Sequence, residues 1–171
     1  RADRMIRSFK QVAVDQASEE PRLIDVAGYL DEVLVSLQPM LKRSPHVLQI
    51  EVQGGLTVTT QPGALYQVVA NLVTNSLTHA FGGIERGTMR IAARPEAEGW
   101  VFEYSDDGIG MSEEVRRHIY DPFFTTRRGQ GGSGLGMHIV YNLATQALGG
   151  SIDCESAPGH GTRFILRMPH R

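Results

Sequence analysis

Apolar residues recur along this chain at two spacings, one typical of helices and one typical of strands. Helical spacing predicts three amphipathic helices, at residues 1–18, 27–42 and 62–80. A fourth helix is predicted over residues 134–148, and a short one begins at Ser112 with a favourable acidic first turn. Pro39 lies inside the second helix, so we expect it to kink or shorten that helix.

Alternating or short apolar runs between turn residues predict strands at residues 22–26, 47–52, 56–60, 89–94, 100–105, 151–155 and 162–168. The fourth and fifth of these form a predicted hairpin. Together the elements predict an α/β (α+β) domain, a two-layer sandwich in which about three long helices cover a mixed, mainly antiparallel sheet.

Composition gives no support for a nucleic-acid-binding, disulfide-bonded or membrane-spanning protein. The chain has 171 residues, is 41% hydrophobic and 21% charged, and carries a formal net charge of −2, which gives no support for nucleic-acid binding. The single cysteine, Cys154, excludes an internal disulfide and suits a reducing compartment. No apolar run is long enough for a membrane span, and no signal peptide is evident. The chain begins with Arg, so we expect a fragment whose parent could carry a membrane anchor.

One face of the predicted helix at residues 62–80 carries the first candidate site. Asn71, Asn75 and His79 are spaced i, i+4 and i+8 and lie opposite the apolar stripe. The whole segment contains no Lys, Arg, Asp or Glu, which is unusual for a solvated helix face. This face either lines a ligand pocket, where an amide oxygen suits a hard cation, or is a buried polar face. His79 alone could also simply pack at the helix end.

Two glycine-containing segments add candidate chemistry. Asp106-x-Gly108-x-Gly110 follows a predicted strand, so the carboxylate could accept from an exocyclic amine while the glycines admit a flat ring. Residues 129–136 are rich in glycine and precede a helix, which suits phosphate binding but also a flexible linker. Arg127 and Arg128 could reach phosphate oxygens or be ordinary surface residues.

The segment from residue 120 to 133 is irregular enough for a mobile lid. It contains Phe123 and Phe124, which are either an anchor on the core or a latch that docks with ligand.

The order of these patterns resembles the N, G1, F, G2 and G3 boxes of the catalytic and ATP-binding domain of two-component sensor histidine kinases, over residues 22–169. The matching patterns are Asn71-x-x-x-Asn75, Asp106-x-Gly108-x-Gly110, Asp121-Pro-Phe-Phe124, Gly132-x-Gly134-Leu-Gly136 and Gly161-Thr162. The resemblance implies a Bergerat-type ATP-binding fold. It also implies that residues 1–20 are the end of a dimerisation and phosphotransfer helix and that residues 21–171 are the catalytic domain.

The resemblance also implies roles for single residues. Asn75 would bind Mg²⁺, with Asn71 and His79 near the phosphates of ATP. Asp106 would accept from the adenine amino group, with Gly108 and Gly110 beneath the ring and Thr162 at the adenine end. Gly132, Gly134 and Gly136 would wrap the phosphates, with Ser133 and Leu135 of the same loop also at the nucleotide. Arg127 and Arg128 just upstream remain candidates for the phosphate oxygens from their position alone.

Position 71 separates the relatives of this fold. Gyrase, mismatch-repair and chaperone ATPases, and the anti-sigma serine kinases, usually have a glutamate there, whereas an amide cannot act as a general base. Asn71 therefore favours transfer of the γ-phosphoryl group to a histidine. The acceptor box is missing from this chain, so that histidine is expected outside it.

Three hypotheses follow. The favoured one is the ATP-binding domain of a cytoplasmic, bacterial histidine kinase, relaying phosphate to a response regulator receiver domain. An ATPase that drives a conformational cycle and a degenerate, non-catalytic scaffold are the alternatives. The chain by itself is expected to be a monomer or weak dimer, and the parent a homodimer.

Overall fold

Five strands form the central sheet in the computed structural model, which describes Asp3, Ile6 and residues 20–126 and 134–170. Within those residues the elements are β1 (Arg22–Asp25), α1 (Val26–Leu41), β2 (Val47–Val52), β3 (Thr57–Thr60), α2 (Pro62–Asn75), β4 (Thr88–Glu96), β5 (Gly99–Asp106), α3 (Glu113–His118), α4 (Gly136–Asn142), β6 (Ser151–Ser156) and β7 (Thr162–Pro169). Both α2 and α4 continue as a π-helical turn, over Ser76–Ala80 and Leu143–Ala147.

The order of the central sheet is β2-β4-β5-β7-β6. Only the β2–β4 pair is parallel among the described strands, and the remaining pairs are antiparallel. The predicted mixed, mainly antiparallel sheet is therefore confirmed, and β4 and β5 form the predicted hairpin with register Ile91 opposite Tyr104.

The core lies between one face of this sheet and the helices. Trp100, Phe102 and Tyr104 alternate along β5 and are buried against a cluster that includes Leu65 and Leu72 of α2. The alternate positions on β5 lie on the other face, where Glu103 accepts hydrogen bonds from Arg94 and Arg163. Burial alone would raise the pKa of Glu103, but these two arginines outweigh it and lower that pKa.

β3 does not join the central sheet. After the turn at Gly54 and Gly55 the chain forms β3, which pairs antiparallel with β1 in a separate two-stranded ribbon. The ribbon sets the starts of α1 and α2 side by side, since the Tyr29 hydroxyl donates to the Pro62 carbonyl at 2.7 Å. Long-range pairing of this kind is not encoded by local alternation.

The helix ends follow ordinary capping chemistry. The Asp25 carboxylate accepts from the Gly28 N–H at 3.2 Å and begins α1, and Ser112 caps α3 through the Val115 N–H. Pro39 does not break α1, which reaches Leu41, one residue before the predicted end. Asp3 and Ile6 are helical, but most of the predicted first helix lies outside the described residues, so the boundary at residue 20 stays a prediction.

Candidate functional site

A cleft of about 540 Å³ opens beside the C-terminal half of α2. Its walls come from α2 and its π-helical turn, from α3, from the start of α4, and from the chain just after β5. Residue Thr162 at the start of β7 closes one end. The volume is within the range of small-molecule sites in proteins.

The uncharged face of α2 is one wall of this cleft. Asn71, Asn75 and His79 all line it, so the predicted face points into a cavity. Asn71 donates from its amide nitrogen to the Gln67 carbonyl at 2.8 Å, which directs the amide oxygen elsewhere. A Cβ on Gly136, the first residue of α4, would lie 3.6 Å from that oxygen. The helix face thus meets the N-terminus of α4, and the positive end of a helix dipole suits an anion.

His79 is placed by the π-helical turn that ends α2. Its Nδ1 lies 3.3 Å from the hydroxyl oxygen of Thr126, which also lines the cleft. Thr74 and Thr78 line the same wall, and the sequence interpretation missed both. Their i, i+4 spacing beside the asparagines was the available signal.

Asp106 lies at the other end of the cleft and is held by several donors. The Ser76 hydroxyl donates to its Oδ2 at 2.8 Å, and the Gly108 N–H donates to its Oδ1 at 3.0 Å. Burial raises the pKa of Asp106, and the hydrogen bonds from Ser76, Gly108 and the Thr162 backbone oppose that rise. A partly buried carboxylate with an open side toward the cleft is suited to accept from a ligand amine.

Glycines bring three chain segments together around Asp106. Gly110 has φ +70°, and a Cβ there would collide with the Ala157 carbonyl oxygen. Gly161 has φ +67°, and a Cβ there would collide with the Asp106 carbonyl oxygen. Thr162 is thereby brought into the cleft lining. These positions explain why the two glycine turns carry no side chain.

Gly108 packs against the π-helical turn, and its place beneath the ring stays a prediction. It is buried and is not among the residues that line the cleft. A Cβ on it would collide with the Ala80 carbonyl, which also accepts from the Ile109 N–H at 2.8 Å. Gly108 thus allows the end of β5 to close against the π-helical turn.

The glycine-rich side of the cleft is described in part. Gly134, Leu135 and Gly136 line it. Gly134 has φ +74° and a Cβ there would collide with the backbone of Phe123. The remaining predicted phosphate-binding residues, Arg127, Arg128, Gly132 and Ser133, lie outside the described residues.

The two phenylalanines of the predicted lid differ. Phe124 lines the cleft, whereas Phe123 is 62% exposed and has φ 65°, a left-handed conformation that is rare for a bulky residue. Neither ring belongs to the hydrophobic core, so the anchor interpretation is wrong. The latch interpretation stays a prediction.

An apolar wall completes the cleft, and the sequence interpretation missed it. Its side chains are Ile109, Met111, Val115, Ile119, Met137 and Ile139. Val115 and Ile119 are spaced i, i+4 near α3, which was a readable signal, but so short a helix shows no full amphipathic stripe. Such a wall suits the faces of a flat aromatic ring.

The described residues offer oxygen and nitrogen donors rather than a preformed metal cage. No group of three or more His, Cys, Asp or Glu side chains in residues 20–126 and 134–170 could hold a metal ion. A hard cation here would therefore need ligand oxygens in addition to the Asn75 amide, a common arrangement for Mg²⁺ bound with a nucleotide. Within the described part of the chain, no helix has both the length and the apolar character to cross a membrane.

Comparison with known proteins gives consistent matches. Residues 60–171 match the family described as histidine kinase-, DNA gyrase B-, and HSP90-like ATPase. The sensor protein TorS of Escherichia coli (strain K12) is 30% identical over 164 residues, which cover 95% of this chain and 17% of TorS. The sensor histidine kinase ZraS of Klebsiella oxytoca is 33% identical over 181 residues, covering 93% of this chain and 38% of ZraS. The chain thus spans less than half the length of either relative.

Solved structures give the same fold. The catalytic domain of histidine kinase ThkA superposes with a TM-score of 0.76 at 26% identity, covering 88% of this chain and 96% of that domain. ThkA in complex with the response regulator protein TrrA gives a TM-score of 0.71 at 22% identity, covering 99% of this chain and 48% of that one. The predicted two-layer fold is confirmed.

Proposed function

Because this chain belongs to the family of histidine kinase-, DNA gyrase B- and HSP90-like ATPases, we propose that it binds Mg-ATP as the catalytic domain of a sensor histidine kinase. One observation carries the proposal. The cleft brings together Asn75, Asp106 and residues 134–136, which are far apart in sequence and come from three of the five patterns that resemble the kinase boxes. Each supplies a different part of nucleotide recognition.

The residues fit the parts of ATP separately. Asp106 offers its carboxylate to the adenine amino group, and Ile109 and Met111 offer apolar surface to the ring. Asn71, Asn75 and His79 lie along the wall that leads to the start of α4, where backbone N–H groups would hold phosphates. Mg²⁺, when bound through the Asn75 oxygen, supplies charge neutralisation at the phosphates.

The chemistry favours transfer over hydrolysis. Asp106 is the sole carboxylate among the described residues that line the cleft, and its oxygens are engaged by Ser76 and Gly108. The amide of Asn71 cannot take a proton from water, whereas a neutral imidazole attacks phosphorus without a base. Residues of this chain would therefore bind and orient ATP, and the γ-phosphoryl group would go to a histidine on another segment or domain of the parent.

Several wider assignments rest on the same proposal. The acceptor histidine would lie on a dimerisation domain of a homodimeric, cytoplasmic parent, and residues 1–20 would be the end of the dimerisation and phosphotransfer helix. The phosphoryl group would pass onward to a response regulator receiver domain, as the pairing of ThkA with TrrA suggests by analogy.

A transfer assay tests this function. The chain is mixed with the parent's histidine-bearing domain and ATP labelled at the γ-phosphorus, with and without Mg²⁺. We expect an acid-labile, base-stable label on that domain only when Mg²⁺ is present. Steady phosphate release without labelled protein would instead identify an ATPase, and partner binding with no nucleotide affinity would identify a scaffold.

A further inference from the structure

Two buried hydroxyl groups stand in line behind the Asp106 carboxylate. The Tyr104 hydroxyl donates to the Ser76 hydroxyl oxygen at 2.8 Å, and Ser76 donates to Asp106 Oδ2 at 2.8 Å. Tyr104 is 0% exposed and Ser76 is 1% exposed, so water does not compete for these bonds. Neither residue lines the cleft, whereas Asp106 does.

The number of protons fixes the direction of this chain of hydrogen bonds. An ionised carboxylate can only accept, so Ser76 must give its single proton to Asp106. Ser76 then has only lone pairs left for Tyr104, which must donate. Burial raises the pKa of Tyr104 further above its ordinary value, so the phenol keeps its proton at any physiological pH.

The same carboxylate accepts from a further donor, the Gly108 N–H, which reaches Oδ1 at 3.0 Å. A carboxylate has about four acceptor positions. With these two protein donors in place, about two acceptor positions remain, and the cleft is the open side.

We infer that Ser76 and Tyr104 are positioning residues that hold Asp106 as a pure hydrogen-bond acceptor and so make the cleft select a purine with an amine at C6. This inference rests on the proposed nucleotide-binding function. Adenine presents a donor amine at the position where guanine presents a carbonyl oxygen. A carboxylate whose orientation and acceptor role are fixed from behind attracts the first and repels the second.

The local structure explains how one helix serves both ends of the ligand. Asn75 is the last residue of α2 and faces the cleft, and Ser76 opens the π-helical turn and points inward beneath Asp106. Widened turns of this kind re-aim side chains within a helix. Neighbouring residues thereby contribute to the phosphate end and, through Asp106, to the base end.

Paired substitutions test the inference. Ser76→Ala removes the link, and Tyr104→Phe removes the donor behind it with almost no change in volume. The matched controls are Ser36→Ala and Tyr66→Phe, because Ser36 and Tyr66 form another serine–tyrosine hydroxyl pair, at 3.4 Å and away from the cleft. Calorimetry then gives the dissociation constants for ATP, GTP and purine riboside triphosphate, which lacks the amine.

We expect Ser76→Ala to weaken the binding of ATP about tenfold. The same substitution should weaken the binding of purine riboside triphosphate less than about twofold, because that ligand has no amine to donate to Asp106. Tyr104→Phe should act in the same direction with a smaller effect, and it keeps the test valid if Ser76→Ala fails to fold. The controls should bind all three ligands as the unmodified chain does. An equal loss for ATP and purine riboside triphosphate, or no loss, would overturn the inference.

A readout without nucleotide separates this inference from the function it rests on. The Gly108 amide proton donates to Asp106, so its NMR shift should move in Ser76→Ala and stay in Ser36→Ala. If the unmodified chain binds no ATP, the proposed function fails and base selection fails with it, whatever the Gly108 signal does. If ATP binds but Ser76→Ala leaves the ratio of the dissociation constants for ATP and purine riboside triphosphate unchanged, only the positioning role fails.

Discussion

Replacing Asp106 with Asn separates what this carboxylate does for binding from what it costs the fold. The substitution keeps the shape of the side chain but removes the charge and turns one acceptor into a donor. Ser76 donates to one oxygen and the Gly108 N–H to the other, so an amide cannot satisfy both. A ligand amine also loses its ionised acceptor.

The size of the binding loss follows from the charge. Hydrogen bonds to ionised groups contribute about 1.5–3 kcal/mol, so ATP affinity should fall about 10- to 150-fold. GTP should lose much less, because its base offers no amine at that position. The expected result is a change in preference between the two nucleotides as well as a weaker complex.

The effect on stability depends on pH. Burial raises the pKa of Asp106 above its unfolded value, so its protonated form is favoured by folding. The stability contributed in this way is present below the unfolded pKa, about 4, and is lost as pH rises through the folded pKa. The Asn variant has no such loss, so its unfolding free energy relative to the unmodified chain should improve between pH 4 and 7.

Urea unfolding across that pH range and calorimetry with ATP and GTP measure both effects. A pH-independent difference in unfolding free energy would show that Asp106 does not carry the assigned burial penalty. An ATP affinity within about twofold of the unmodified chain would show that Asp106 does not contact the base.

Three further results are expected. Asn75→Ala should reduce ATP affinity in the presence of Mg²⁺ to the value measured without Mg²⁺ and leave thermal unfolding unchanged; a Mg²⁺ dependence that survives would contradict the metal assignment. Gly110 has φ +70°, and an added Cβ would collide with the Ala157 carbonyl, so Gly110→Ala should lower the free energy of unfolding in urea by more than about 2 kcal/mol. The control is Gly159→Ala, at φ +78° with no atom within 4 Å of the added Cβ, which should lower it by only about 1–2 kcal/mol. Burial raises the pKa of Cys154 to about 12, so at pH 8 a disulfide reagent should modify it at least about a hundredfold more slowly than a free cysteine, with the difference disappearing in urea.

Much of the architecture was accessible from local sequence pattern. The helix that carries Asn71 and Asn75 was predicted because its apolar residues follow a 3.6-residue period and Pro62 marks its start. The hairpin of β4 and β5 and the strand after Gly161 follow from alternation between turn residues.

The features that the sequence did not give depend on contacts between distant segments. β3 pairs with β1 across a helix, although its nearest predicted neighbour in sequence is β2. The Tyr104–Ser76 and Ser76–Asp106 bonds join residues 28 and 30 positions apart, and each residue alone reads as an ordinary strand or helix position. The burial of Gly108 likewise depends on a distant contact, because Gly108 packs against Ala80, the last residue of the π-helical turn.

This cleft is proposed to bind Mg-ATP and to keep it intact until a histidine is supplied. The most direct measurement is calorimetric titration of ATP with and without Mg²⁺, with phosphate release assayed in the same sample. We expect saturable binding that strengthens with Mg²⁺ and negligible phosphate release. Absence of binding, or steady phosphate release from the bound complex, would contradict the account.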